Sequence, residues 1–314
     1  MVPYLMRRFA GLVISCLLIS VLVFVVMRII PGDPAQIMLG TEADPATLQA
    51  LRTRLGLDQP LYVQYGTWMR DLFTAQLGQS LRYNVPITEL IASRLAVTIP
   101  LAVLAIIIAA MIGFPSGVYA ATHRNGPGDY GMVVLSQLGL SVPAFWLGIL
   151  LMLVFSVRLR WLPAGGFVGW GESVWGAMRS LILPATALGL IHGAVITRLS
   201  RSALLEVLQQ DYVRTARGKG VIEAKVLWKH ALRNALIPVL TVVGMQFSAL
   251  LAGAIIIENV FYLPGLGRLA FQAIGQRDLP VVQDIVILVA FLVVGMNLLV
   301  DLVYALLDPR IRLE

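Results

Sequence analysis

Five stretches of this sequence run for about the length of a membrane span without a single charged side chain: 9–27, 95–121, 132–157, 180–197 and 234–257. A helix crosses a hydrocarbon core of about 30 Å in about 20 residues, so each run is long enough to span a bilayer. A sixth, 285–300, is shorter and continues past Asp301 to 307. Charged residues make up 13% of the chain, against about 25% in a soluble domain, too few to coat a water-soluble core of this size. Its mean hydropathy is +0.83. The net charge of +7 does not point to nucleic acid, because no soluble domain is present to carry a basic face.

Six spans place both termini on one side, and basic residues indicate which. The segments 1–8, 122–131, 198–235 and 308–314 together hold 13 Lys and Arg, and the opposite short loops, 158–179 and 258–284, hold 5. The positive-inside bias therefore predicts cytoplasmic termini, with the long first loop set aside because long loops translocate largely regardless of charge. Arg28-Ile29-Ile30-Pro31-Gly32 stands where a small-residue cleavage site would be expected, so residues 1–30 read as an uncleaved anchor helix. Cys16, the single cysteine, excludes a disulfide framework and reads as a small buried hydrophobe.

The exported loop 31–94 carries helix signals. Asp44-Pro45 supplies a cap and a first-turn proline, and Gly56 a stop, predicting a helix at 45–55. Further helices are expected at 60–73 and, at the interface, 87–95. The loop is either a lid over the outer rim or a docking surface for an external partner.

The stretch 198–233 contains all three lysines, Lys219, Lys225 and Lys229. Apolar residues recur at helical spacing from 199 to 215, then Gly218 and Gly220 interrupt. Over 221–235, Ala224, Leu227, Ala231 and Ala235 share one face while Lys225, Lys229 and Arg233 step by four along another. Two helices joined by a glycine turn form a rigid element rooted in two spans, able to carry force into the bundle. An ordinary basic loop held on lipid phosphates would have the same composition.

The text of this segment, Asp211-Tyr212-Val213-Arg214-Thr215-Ala216-Arg217-Gly218-Lys219-Gly220 followed by His230-Ala231-Leu232-Arg233-Asn234-Ala235-Leu236-Ile237-Pro238, resembles the EAA loop of permease subunits of type I ABC importers in the dipeptide, oligopeptide and nickel group. Four more matches lie in order: Pro31-Gly32-Asp33-Pro34, Leu55-Gly56-Leu57-Asp58-Gln59-Pro60-Leu61, Tyr262-Leu263-Pro264-Gly265-Leu266-Gly267-Arg268, and Asp301-Leu302-Val303-Tyr304 running to Asp308-Pro309-Arg310-Ile311-Arg312. Arg214 and Thr215 replace the first two residues of the general EAA pattern, while Ala216 and Gly220 fit it.

The resemblance implies an all-α polytopic membrane protein with six transmembrane helices in the type I ABC importer permease fold. Its core would be 95–307, its coupling loop 199–235 and its cytoplasmic tail 308–314. It further implies that Tyr212, Arg214, Thr215, Ala216, Gly218, Lys219, Gly220, Glu223, Lys225 and Lys229 couple the chain to a cytoplasmic ATPase. The implied partners are a second homologous permease in a heterodimer, two ATPase subunits and a periplasmic or lipid-anchored substrate-binding protein, all in the bacterial inner membrane or at its faces. Cargo would be di- or oligopeptides, with glutathione, nickel chelates or opines as alternatives.

Gly218-Lys219 lacks the spacing of a Walker A loop, so ATP and Mg would belong to the partner ATPases and this chain would hold no cofactor. His123, His192 and His230 are followed by Arg, Gly and Ala, not by the Glu of a zinc-protease motif, and neither Ser141 nor another serine has a nucleophile context. A catalytic role is therefore not expected. A secondary transporter would show inverted repeats and charged relays, and His192, within the fourth run, is the only relay candidate. His192 is a candidate pore-lining residue. Gly113-x-x-x-Gly117 and Gly189-x-x-x-Gly193 suit close helix packing. Asp301 would bond Arg310 or a backbone group, and Glu258 and Asp284 are expected at a hydrated outer boundary.

Overall fold

The computed structural model describes residues 2–29, 33–40 and 44–307. Backbone groups in hydrocarbon have no water to bond, so spans must satisfy their own N–H and C=O groups. The described residues accordingly form helices: α1 (Val2–Ile29), α2 (Pro34–Leu39), α3 (Pro45–Arg54), α4 (Leu61–Phe73), α5 (Ile87–Thr122), α6 (Pro127–Ser141), α7 (Ala144–Arg158), α8 (Val174–Leu208), α9 (Asp211–Gly218), α10 (Glu223–Val260), α11 (Leu266–Gly275) and α12 (Leu279–Leu307). The tail 308–314 and the Asp301 side chain lie outside the described residues, as do Pro31 and Gly32.

Among the described residues, five helical segments are long and apolar enough to cross a membrane: Met6–Ile29, Ile87–Thr122, Val174–Leu208, Glu223–Val260 and Leu279–Val300. The run at 132–157, read from the sequence as one straight span, is instead the pair α6 and α7, bent by 103°. Val142 is extended (φ −88°, ψ 126°) in front of Pro143. Proline lacks an N–H and drives the preceding residue out of the α region, so the ladder breaks there. The pair is one broken span or a re-entrant turn, giving up to six crossings.

Two further boundaries differ from the sequence reading. Residues 87–95 form no separate interfacial helix but open α5, whose 36 residues extend about 54 Å. The expected helix at 199–215 is divided: α8 runs to Leu208, and α9 starts afresh at Asp211. The helix expected over 221–235 is continuous with the fifth span in α10.

The described residues fall into two compact units, 99–263 with 296–307, and 2–98 with 264–295. In the first, α8 packs against α6, α7 and α10. The two glycine pairs let α5 and α8 meet at backbone distance. A Cβ on Gly113 would stand 2.5 Å from the Gly193 carbonyl oxygen, and one on Gly117 would stand 2.6 Å from the Thr197 carbonyl oxygen. Ala109, Ile196, Leu204, Ala231 and Leu232 join α5, α8 and α10 in one buried cluster.

In the second unit α4 lies against α1: the Ser20 and Tyr65 hydroxyls are 2.8 Å apart, and Phe24 stacks with Trp68 at 6.1 Å. Trp68 Nε1 donates to Asp284 of α12 at 3.0 Å. Asp278 is fully buried and accepts from Ser80 Oγ (2.5 Å) and the Leu81 N–H (3.3 Å), pinning the turn before α5. Asp44 caps α3 as its sequence predicts, accepting from the Thr47 N–H at 3.2 Å.

Asp284 and Glu258 are not hydrated boundary charges. They are 3% and 0% exposed. α4 covers Asp284 through Trp68, and the chain reverses after α10 so that the Leu263 N–H bonds the Glu258 carbonyl at 2.8 Å.

Because the Gly113 neighbour is rigid backbone, Gly113→Val should lower stability by about 1–3 kcal/mol, the usual range for overpacking. Gly131→Ala on α6, where nothing lies within 4 Å, serves as the control and should be neutral or slightly stabilising. Thermal unfolding of the detergent-purified chain, followed by circular dichroism, measures both.

Candidate functional site

The hairpin between the fourth and fifth spans is built from the sequence up. Gln209 and Gln210 end α8, and Asp211 opens α9 in the position where a carboxylate favours the helix N-terminus. Val213 and Ala216, three apart, face inward and form a small core with Val226, lined by Val207, Leu208 and Val221. The opposite face carries Asp211, Arg214, Thr215 and Gly218, all exposed. Thr215 Oγ1 donates back to the Asp211 carbonyl at 2.9 Å.

Gly220 ends α9 with φ +74°. Its N–H bonds the Arg217 carbonyl at 2.9 Å, and the Val221 N–H bonds the Ala216 carbonyl at 3.2 Å, with Val221 packed on the same small core. That double bond pattern with an apolar contact is a Schellman stop, which requires a left-handed residue at its pivot. Glycine occupies that conformation without a Cβ clash.

Three residues later α10 begins at Glu223, and its carboxylate grips Arg217 across the turn: Nε to Oε2 at 3.0 Å and a terminal nitrogen to Oε1 at 2.5 Å. This bond raises the Arg217 guanidinium above its ordinary pKa. Asn234 Nδ2 donates to the Tyr212 hydroxyl at 2.7 Å, a second tie from α10 to α9. α9 is thus fixed to the start of α10 by a small core, an ion pair and a hydrogen bond.

Of the residues singled out in the sequence, Tyr212, Arg214, Thr215, Ala216 and Gly218 lie on α9, Lys219 and Gly220 in the turn, and Glu223, Lys225 and Lys229 on α10. Ala216 is buried and supports the hairpin from inside; the other nine are exposed. His192 is not among them. It sits in α8, 16 residues before its end, about 24 Å along the helix. There it is half-buried beside Gln246 of α10, and its Nδ1 has no hydrogen-bond partner among the described residues.

Four features escaped the sequence reading. Ile222 and Trp228 are 71% and 69% exposed within this charged hairpin. A tryptophan in a basic loop is the available signal, since exposed apolar side chains rimmed by charge mark contact surfaces. Arg217 was legible only as one more cation. The fourth is a buried ion pair: Arg201, near the end of α8, holds Asp129 of α6 through Nε at 2.5 Å and a terminal nitrogen at 2.7 Å. Seventy-two residues separate the partners, and no local pattern announces them.

The sequence matches the family described as binding-protein-dependent transport system inner membrane component over residues 113–313, and the N-terminal region of such membrane components over residues 1–102. A peptide transport system permease protein of Brucella abortus (strain 2308) is 48% identical over 314 residues, covering all of both chains. A dipeptide transport system permease protein of Alkalihalophilus pseudofirmus is 43% identical, covering 99% of this chain and all of the other. Among solved structures, a chain of the MetNI methionine ABC transporter, described as inward facing, superposes with a TM-score of 0.59 at 18% identity, covering 70% of this chain and 96% of that one. At that identity the likeness concerns the fold alone.

Asp129→Ala should destabilise the chain by about 3 kcal/mol, the lower part of the range for an orphaned buried charge, because Arg201 keeps 26% side-chain exposure. The exchange Asp129→Arg with Arg201→Asp should recover part of that loss in the same unfolding measurement. Equal losses in the single and exchanged variants would mean that the pairing itself contributes little.

Proposed function

This chain belongs to the family of binding-protein-dependent transport system inner membrane components, and we propose that it is the permease subunit of an ATP-driven importer that carries di- or oligopeptides into a bacterial cell. The full-length relatives named for peptide and dipeptide transport support the cargo class. Glutathione, nickel chelates or opines are the alternatives within the same transporter class.

The observation that carries the mechanism is the hairpin α9–α10. Its stiff turn presents exposed Tyr212, Arg214, Ile222 and Trp228, while its second arm is the fifth span itself. With both termini in the cytoplasm, as the charge bias suggests, this face meets a cytoplasmic ATPase. ATP and Mg are bound there, in the partner. Closure of two ATPase subunits on nucleotide would pull Gly220 and its neighbours and tilt α10 and α8 together, because α9 joins them. A second homologous permease would complete the pathway as a heterodimer, and a periplasmic or lipid-anchored binding protein would deliver substrate. The chain needs no catalytic residue in this scheme.

His192 and Gln246 are proposed to line the pathway. Their polar edges sit within otherwise apolar spans, where such groups commonly face a cavity or each other.

Valine at Gly220 cannot hold φ +74° without strain of about 1–2 kcal/mol, which would reshape the Schellman stop. Gly220→Val should lower peptide uptake more than tenfold while the chain reaches the membrane at normal level, with Gly131→Ala as the control. Unchanged uptake would remove the turn from the mechanism. Lys225→Ala with Lys229→Ala should reduce co-purification of the ATPase, and an unaltered complex would assign these lysines to lipid.

A further inference from the structure

We propose that the hollow behind α9 holds the phosphate headgroup of an anionic phospholipid from the leaflet facing the hairpin. The hollow encloses about 350 Å³. Leu205, Leu208 and Leu227 form its apolar floor, and its polar lining is Thr122, Arg124, Gln209 and the paired Arg217 and Glu223.

Its depth is set by the helices that build it. Thr122 follows directly on the uncharged run 95–121 of α5, so that side of the hollow lies at headgroup level, while the tail of α8 that carries Leu205 and Leu208 continues past its own uncharged run, 180–197. Its charge is set by unequal pairing. Arg217 is engaged by Glu223 through two of its nitrogens. Arg124 forms no ion pair among the described residues; it acts through space on Asp129, a carboxylate that Arg201 already grips from two sides. A guanidinium left over beside an apolar floor at the membrane surface suits a phosphodiester, and basic pockets between helices on the cytoplasmic side are recognised headgroup sites.

The size narrows the occupant further. Small-molecule pockets begin at about 300 Å³, so the hollow admits a headgroup and leaves the acyl chains outside along the spans. An acidic protein side chain would satisfy Arg124 but not cover the leucine floor. Because α9 and the end of α8 form its walls, an occupied hollow would brace the coupling hairpin against the end of α5. Lipid charge would then tune how firmly the hairpin is seated.

The inference rests on the cytoplasmic placement of the hairpin but not on transport, and its test reads lipid, not uptake. The assembled transporter is reconstituted in phosphatidylcholine nanodiscs doped with phosphatidylglycerol, released into detergent, and its retained phosphatidylglycerol counted by native mass spectrometry. Arg124→Gln, at an exposed position, and Leu208→Trp, which fills the hollow, should each retain several-fold less phosphatidylglycerol at this site than the unaltered complex. Added inorganic phosphate should not displace the lipid, whereas displacement would show a free-phosphate site and overturn the lipid assignment. Equal retention in Arg124→Gln and the unaltered protein would also overturn it. Loss of ATPase association in Arg124→Gln with lipid retention intact would assign the rim to an acidic protein partner instead. Retention as expected alongside absent peptide uptake would leave the lipid site standing and refute only the transport reading.

Discussion

Hydrocarbon forces each span to keep its hydrogen-bond ladder closed, and in α10 that ladder does not stop at the membrane boundary. From Glu223 to Val260 it is one helical segment of 38 residues, with a π-helical turn at Val226–Ala231 and Pro238 inside it, so the arm of the hairpin and the fifth span form one continuous rod. Whatever displaces Glu223 therefore acts on the span directly. The other arm, α9, is short and would fray alone, as isolated helices of that length do. It is held by the Val213–Ala216–Val226 core, the Arg217–Glu223 pair and the Asn234–Tyr212 bond. Rigidity at the hairpin is thus borrowed from the membrane helix.

The same rod is coupled sideways by packing that allows little slack. Gly113 and Gly117 bring α5 to the backbone of α8, and Asp129–Arg201 ties α6 to the lower part of α8. Charges buried in such places are costly unless paired or hydrogen-bonded. Asp129 meets this condition with Arg201, and Asp284 with the Trp68 indole. The bend at Pro143 divides the third apolar run into two short arms.

Much of this was legible in the sequence because it is local. Uncharged runs mark spans, Asp44-Pro45 marks the start of α3, and Gly220 marks the end of α9. The small-x-x-x-small pairs announced close approach, although not that Gly113 would meet Gly193 itself. What could not be read depends on distance along the chain. Asp284 looked hydrated because nothing near it in sequence reveals Trp68, 216 residues away. Arg217 looked like one cation among eight in its loop until the fold placed Glu223 against it. The third run read as straight because hydropathy averages over Pro143, whereas backbone geometry does not. The division of the hairpin at Gln209–Gln210 was hidden by apolar spacing that stays in phase across the break.

The central claim is that the hairpin around Gly220 lies inside the cell and is covered by the ATPase that drives it. Its most direct measurement uses the single native cysteine: in a Cys16→Ser background, Lys219→Cys is exposed to a membrane-impermeant maleimide in intact cells and in inverted membrane vesicles. The expected result is no labelling in intact cells, labelling in inverted vesicles stripped of ATPase, and protection when the ATPase is bound. Labelling in intact cells, or equal reactivity with and without the ATPase, would contradict the claim.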